Sequence, residues 1–163
     1  MSENQMDKDV YEAAKAGDAA QVKQLLENGG SLGFRDVFGM QAHHVAARHG
    51  HALVVEAIFA TTSDNGTALL NSVTNDNKQV LHYAAAFGHV KLARTLLAYG
   101  ANPEAHDKWG NRPIDLVRLR FEKKKMTDEE YKAIQAAFAP YKKAQKPPLG
   151  NIPYHPKSPF SQS

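Results

Sequence analysis

The sequence predicts an all-α solenoid: short helix–turn–helix units stacked side by side, each too small to fold alone. One observation behind this is a recurring Ala-Ala pair followed by a glycine, at Ala13-Ala14 with Gly17, Ala46-Ala47 with Gly50, and Ala84-Ala85 with Gly88. Those glycines stand 33 and 38 residues apart, and the difference falls in the polar stretch 61–67, where a loop insertion costs little. A second is a turn-forming residue five positions ahead of a His or Asp: Gly39 before His44, Asn77 before His82, Gly110 before Asp115. A third is the helical stripe after each repeated glycine, clearest at Leu92, Leu96 and Leu97. Helices this short are marginal in water, so each needs a neighbour, and a repeat of about 33 residues supplies one.

Each element has its own local reason. Residues 1–8 are polar and read as a disordered leader. Asp9 is placed to N-cap a helix over 10–16. Gly17-Asp18 closes that helix and caps the next, over 19–28, whose stripe is Val22, Leu25 and Leu26 and whose stop is Gly29-Gly30. The second unit has helices over 42–49 and 53–60. The third has them over 82–87 and 90–99, closed by Gly88 and Gly100, since glycine enters the left-handed region without a Cβ penalty. In the fourth, Pro113 suits the first turn of a helix, where its missing N–H costs nothing. That helix runs over 113–125 with no glycine break and reads as an extended cap. Thr127 and Glu130 then form a capping box for a helix with the stripe Tyr131, Ile134 and Phe138, which stops before Pro140 and is expected to fold back on the last unit, the alternative being a free helix that docks only on a partner.

Beyond it, five prolines in residues 147–160 forbid helix and sheet interior. An extended, polyproline-like tail is expected. Its Leu149, Ile152, Tyr154 and Phe160 fit a segment that orders against a partner or its own solenoid; the alternative is a plain disordered tail. Ser158-Pro159 fits a proline-directed phosphorylation site.

Short motifs carry a family resemblance. Gln79-Val80-Leu81-His82 and Gly110-Asn111-Arg112-Pro113-Ile114-Asp115 resemble the Gly-x-Thr-Pro-Leu-His signature of ankyrin repeats. Gly50-His51-Ala52-Leu53-Val54-Val55 and Gly88-His89-Val90-Lys91-Leu92 resemble the Gly-His step between the two helices, and Leu97-Ala98-Tyr99-Gly100-Ala101-Asn102 the run that closes a repeat. The chain resembles an ankyrin-repeat protein over roughly residues 9–119. The resemblance implies short β-turn fingers between helix pairs and a non-catalytic scaffold for binding another protein. In this register the repeats are residues 9–36 (an N-terminal cap), 37–74, 75–107 and a partial fourth, 108–125, followed by a C-terminal helix over 127–139 and a basic, proline-rich tail over 140–163.

Composition narrows the function classes. The chain has no cysteine, which excludes disulfides, thiol nucleophiles and Cys-bearing zinc sites. No apolar run reaches the roughly 20 residues of a membrane helix. The polar N-terminus is unlike a secretory signal, so the expected setting is cytoplasmic, with the nucleus also open. Charge is uneven. Up to Asp36 there are seven acids and four bases; from Lys108 onward there are twelve bases and five acids. The basic end fits an acidic partner or simple solubility.

Histidine is the one tempting chemical feature, with His43, His44, His49, His51, His82 and His89 crowded into mid-chain. A metal site needs three or four converging ligands. The resemblance implies instead that His44 and His82 hold the preceding turn and that His51 and His89 mark the step between helices. His43 stands where the family has leucine, and is either a buried polar group needing a partner or a side chain turned outward that could sense pH. No phosphate-cradling loop, nucleophile elbow or paired carboxylates can be placed. No catalytic residue, metal or cofactor is expected.

What remains is surface. The resemblance puts Val37, Phe38, Met40, Asn75, Asp76, Lys78, Lys108, Trp109 and Asn111 on turn tips and Val45, Arg48, His49, Tyr83, Ala86 and Phe87 on the open side of the inner helices. Of these, Phe38, Met40, Arg48, His49, Lys78, Tyr83, Phe87, Lys108 and Trp109 are the expected partner-binding residues, since aromatic and arginine side chains dominate interface energies. The expected function is protein recognition on the concave face by a monomeric module. The tail would be a second contact in a larger multi-subunit or cytoskeletal assembly. The alternative is nucleic-acid or acidic-filament binding through the basic end.

Overall fold

The structure, a computed structural model, describes residues 5–64 and 66–141. Among them the secondary structure is helical: α1 (Gln5–Ala16), α2 (Ala19–Glu27), α3 (Ala42–Arg48), α4 (Ala52–Ala60), α5 (Thr67–Asn71), α6 (Val80–Ala86), α7 (Val90–Ala98), α8 (Pro113–Glu122) and α9 (Asp128–Phe138), with a closing 3-10 turn at Ala139–Tyr141. The tail from 142 onward, with Ser158, lies outside the described residues.

The helices form two rows. The inner row is α1, α3, α6 and α8, each packed on the next; the outer helices α2, α4, α7 and α9 each pack behind their inner partner. Alanine allows the close approach of the inner row: Ala13, Ala14, Ala46, Ala47, Ala84 and Ala85 are all buried. The outer row supplies the bulk, with Val54, Val55, Ile58 and Phe59 from α4, Leu92, Leu96 and Leu97 from α7, and Ile134 and Phe138 from α9. Burying each of these side chains contributes about 1.5–3 kcal/mol, which these helices cannot collect alone.

Two of the predicted caps form. Asp18 accepts the Gln21 N–H at 2.9 Å. Thr127 and Glu130 exchange bonds, Glu130 N–H to Thr127 Oγ1 at 3.2 Å and Thr127 N–H to Glu130 Oε2 at 2.8 Å. Other expectations need correction. The first helix begins at Gln5, so residues 5–8 are not a disordered leader and Asp9 is not an N-cap. Met6 lies against Gly30, and Asp7 Oδ1 accepts the Ser31 N–H at 2.7 Å, which together anchor that extra turn. The inserted stretch leads into a short helix, α5, which was not expected from the sequence and whose Leu70 is buried. The helix from Pro113 ends at Glu122, and Lys124 turns the chain with φ 53°. The last helix is more than a lid: α9 packs behind α8 and against α7, completing the fourth helix pair, with Tyr131 stacked on Phe121 at 4.3 Å.

The inter-helix step has a second use. At Gly50, φ is 75° and the ring of His89 from the next repeat lies so close that a Cβ would meet its Nδ1 at 2.6 Å. That ring donates from Nε2 to the Arg48 carbonyl at 2.9 Å, and His51 does the same to the Lys15 carbonyl at 3.1 Å. Gly100 also has a left-handed φ, 99°, but open space where its Cβ would go. Gly100→Ala should therefore cost only the backbone term, about 1–2 kcal/mol. Gly50→Ala should cost clearly more in urea denaturation, because it also dislodges His89.

A candidate protein-binding face

The fingers are built alike. In each, an acceptor side chain at the first position ties down the turn. Asp36 Oδ1 accepts the Phe38 and Met40 N–H groups, both at 2.9 Å. Asp107 Oδ1 accepts those of Trp109 and Asn111, at 3.0 and 2.8 Å. Thr74 stands in for aspartate in the middle finger, with Lys78 N–H at 3.4 Å from Oγ1. The left-handed position is Gly39, Asn77 and Gly110 in turn. Asn77 tolerates φ 58° as asparagine can, and its Nδ2 reaches the His106 carbonyl in the next finger at 3.0 Å. Backbone bonds then join the fingers side by side: Asn75 N–H to Phe38 O at 3.0 Å, Lys108 N–H to Asp76 O at 2.8 Å. The result is a row of loops with little freedom.

Imidazoles fix the row to the helices. His44 Nδ1 accepts the Gln41 N–H at 3.1 Å, so its proton sits on Nε2, which faces the Ser72 carbonyl at 3.0 Å. His82 repeats this with Gln79 N–H at 3.0 Å and Asn111 O at 3.1 Å. Each ring thus caps its own helix and holds the following finger. Asp115 does only the first job, accepting the Arg112 N–H at 2.9 Å. Arg112 also grips both Asp115 and Glu104, and although burial alone would raise Asp115, the bonds from Arg112 hold it below the usual carboxylate range.

The expected binding residues fall into three groups. Phe38 is 63% exposed and Trp109 43% exposed on their fingers. Lys78 and Lys108 place their ammonium groups 4.8 and 5.7 Å from the Trp109 ring centroid. On the inner helices the Arg48 guanidinium lies 5.5 Å from the Phe87 ring. Tyr83 is half-buried, its hydroxyl donating to Thr74 Oγ1 at 3.3 Å. Exposed His49 stacks on His51 at 5.9 Å, and its pKa is lowered by partial burial and then by Arg48. Met40 and Val45 contradict the sequence expectation: both are core, 2% and 3% exposed. Met40 follows the turn with its N–H and C=O both committed to Asp36, and its side chain joins the core.

Arg120 was missed. Its guanidinium lies 4.9 Å from the same Phe87 ring. The signal was present, since Arg120 stands 33 residues after Phe87, at the equivalent repeat position.

Among the described residues no group of three or more His, Asp or Glu could hold an ion. His43 is fully buried with neither ring nitrogen hydrogen-bonded. It sits 4.0 Å from the His44 ring, near the backbone of Leu69 in α5. Burial, and then the neighbouring His44, push it well below the usual imidazole range. Burial likewise pushes His44 and His82 down to about 4.

These proportions define a class of protein, a stacked helix-pair scaffold presenting a row of rigid loops. The family model described as "Ankyrin repeats (3 copies)" matches residues 10–107, and the chain belongs to the ankyrin-repeat family. Over 93 residues it is 30% identical to human ankyrin repeat and SOCS box protein 3, covering 57% of this chain and 18% of that protein. It is 27% identical to human SH3 and multiple ankyrin repeat domains protein 2 over 111 residues, 68% of this chain and 6% of that one. It is also 27% identical to the E3 ubiquitin-protein ligase Ufd4 of Drosophila melanogaster over 114 residues, 69% and 4% respectively. The chain therefore spans less than a fifth of the length of these relatives. Ankyrin repeats in general mediate protein–protein interaction and are not themselves catalytic. No helix among the described residues is long and apolar enough to cross a membrane.

A pH dependence follows from the buried rings. Folded, they stay neutral below the ordinary 6.5; unfolded, they take up protons there. Stability should be fully present above pH 6.5 and fall as pH drops toward 4, by about 1.4 kcal/mol per pH unit for each ring. In urea denaturation across that window, His43→Leu should raise stability at pH 7 by about 1–3 kcal/mol, by removing an unsatisfied buried polar group. The slope below 6.5 should become shallower by one proton.

Proposed function

We propose that the chain is a non-catalytic recognition module that binds another protein across its fingers and the open side of its inner helices. The observation that carries this reading is the exposure of Phe38 and Trp109 on loops that hydrogen bonds hold still. Large rings left in water are unfavourable unless a partner covers them. Rigid presentation lowers the ordering cost of binding. Arg48 and Phe87 extend the surface onto the helices, with Tyr83 and His49 beside them.

Relatives whose names join ankyrin repeats to a SOCS box or an SH3 domain support a role inside a larger assembly. We place the module in the cytoplasm or nucleus, monomeric by itself, with the basic tail as a second contact.

The test is affinity capture from cell extract, with the intact chain compared against Phe38→Ala/Trp109→Ala. Both positions are exposed, so the double variant should keep its helical content. Proteins retained by the intact chain should be lost from the variant. Equal retention by both would place binding elsewhere.

A further inference from the structure

We propose that this face takes an acidic segment of another protein, one whose spaced carboxylates seat on two pairs of cations, Arg48 with Arg120 and Lys78 with Lys108. This rests on the reading of the face as a protein-binding surface and adds the chemistry of its partner.

The two pairs share a design. Arg48 and Arg120 come from the last turns of α3 and α8, helices of different repeats, yet both guanidiniums lie within 5.5 Å of the Phe87 centroid. Lys78 and Lys108 come from successive fingers and both lie within 5.7 Å of the Trp109 centroid. A ring face orients a cation but does not neutralise it, and at exposed sites the contact contributes only about 0.5–1 kcal/mol. Two like charges gathered at one ring repel each other, and an anion reaching both relieves that repulsion. Among the described residues Arg48, Arg120 and Lys108 have no carboxylate within ion-pair distance, and Lys78 has only Asp76, at 3.9 Å. Glu130 feels Arg120 without pairing with it. The contrast is Arg112, whose guanidinium is committed to Asp115 and Glu104.

The neighbouring acids define the pattern the face accepts. Asp36, which accepts from the Phe38 and Met40 amides and from the Tyr11 hydroxyl at 2.6 Å, and Asp76, beside Lys78, put carboxylates among these cations. A nucleic-acid strand, with a phosphate at every step, would meet these carboxylates. A peptide with carboxylates apart and apolar residues between can avoid them and cover Phe38 and Val37, the latter 85% exposed. The chain's own residues 142–163 carry four lysines and no acid, the wrong charge for the site. Arginine pairs grip carboxylates in bidentate fashion, whereas the lysines act as point charges, so the Arg48 and Arg120 pair should dominate selectivity.

The experiment is selection of a displayed random-peptide library on the full chain, followed by fluorescence anisotropy with the best selected peptide. The expected peptides carry at least two Asp or Glu with apolar residues between. Replacing those acids by Asn and Gln, or using Arg48→Gln/Arg120→Gln, should weaken binding at least ten-fold, with circular dichroism unchanged. Equal binding of the amide peptide, enrichment of neutral or basic peptides, or no enrichment would overturn the acidic chemistry. If such non-acidic peptides are still lost on Phe38→Ala/Trp109→Ala, the binding-face reading survives; if they are indifferent to it, that reading falls too. Tighter binding of oligo(dT) than of the selected peptide, or a dimer in sedimentation abolished by the arginine substitutions, would also overturn the proposal, in favour of nucleic acid or a second copy.

Discussion

A neutral imidazole accepting from its own helix and donating to the next repeat is the contact on which this architecture depends. His44 and His82 each close a helix N-terminus through Nδ1 and hold the carbonyl of the following segment through Nε2. At the other end of the inner helices, His51 and His89 reach back to carbonyls of the preceding repeat. Helix pairs of this length bury too little to stand alone, and their neighbours supply both the apolar surface and these polar ties. The ties made by His44 and His82 demand an uncharged ring, because a second proton would remove the acceptor at Nδ1. Burial enforces that state, which makes the same contacts a weak point in acid.

The binding face inherits its rigidity from this arrangement. The carbonyl that His82 holds belongs to Asn111, in the finger that carries Trp109, and the one that His44 holds precedes the finger of Lys78. Loops pinned at their bases and bonded edge to edge can carry exposed rings without collapsing onto the core. Cations from separate repeats then converge on those rings, an arrangement available only once the repeats are stacked. Asp115 differs: it caps its own helix and holds no further finger among the described residues, and Arg112 takes up its remaining oxygen.

Much of this was legible in the sequence because repetition multiplies weak signals. The Ala-Ala…Gly spacing located the inner helices, and Asp18 and Thr127 marked helix starts through their side-chain chemistry. The places where reading failed are those where the repeat pattern is broken. The stretch after Ala60 looked like a polar loop, yet Leu69 and Leu70 fold it into α5 over His43, the residue that departs from leucine. Register alone does not say which way the Met40 and Val45 side chains turn, and the core takes up their volume. The turn at Lys124 replaces the expected glycine, which hid α9 as the outer partner of α8. Arg120 lay in register with Phe87 but in a helix read only as a cap. Burial at these positions comes from contacts between repeats, and a single repeat's pattern does not contain them.

The most direct measurement is hydrogen–deuterium exchange, resolved along the chain, in a His82→Ala variant. If one ring joins two repeats, amide protection should drop together in α6 and in the finger over 107–111, with α1 and α2 little changed. Loss confined to the first turn of α6, with that finger as protected as before, would mean the ring is only a local cap, and the account of how the repeats are held together would be wrong.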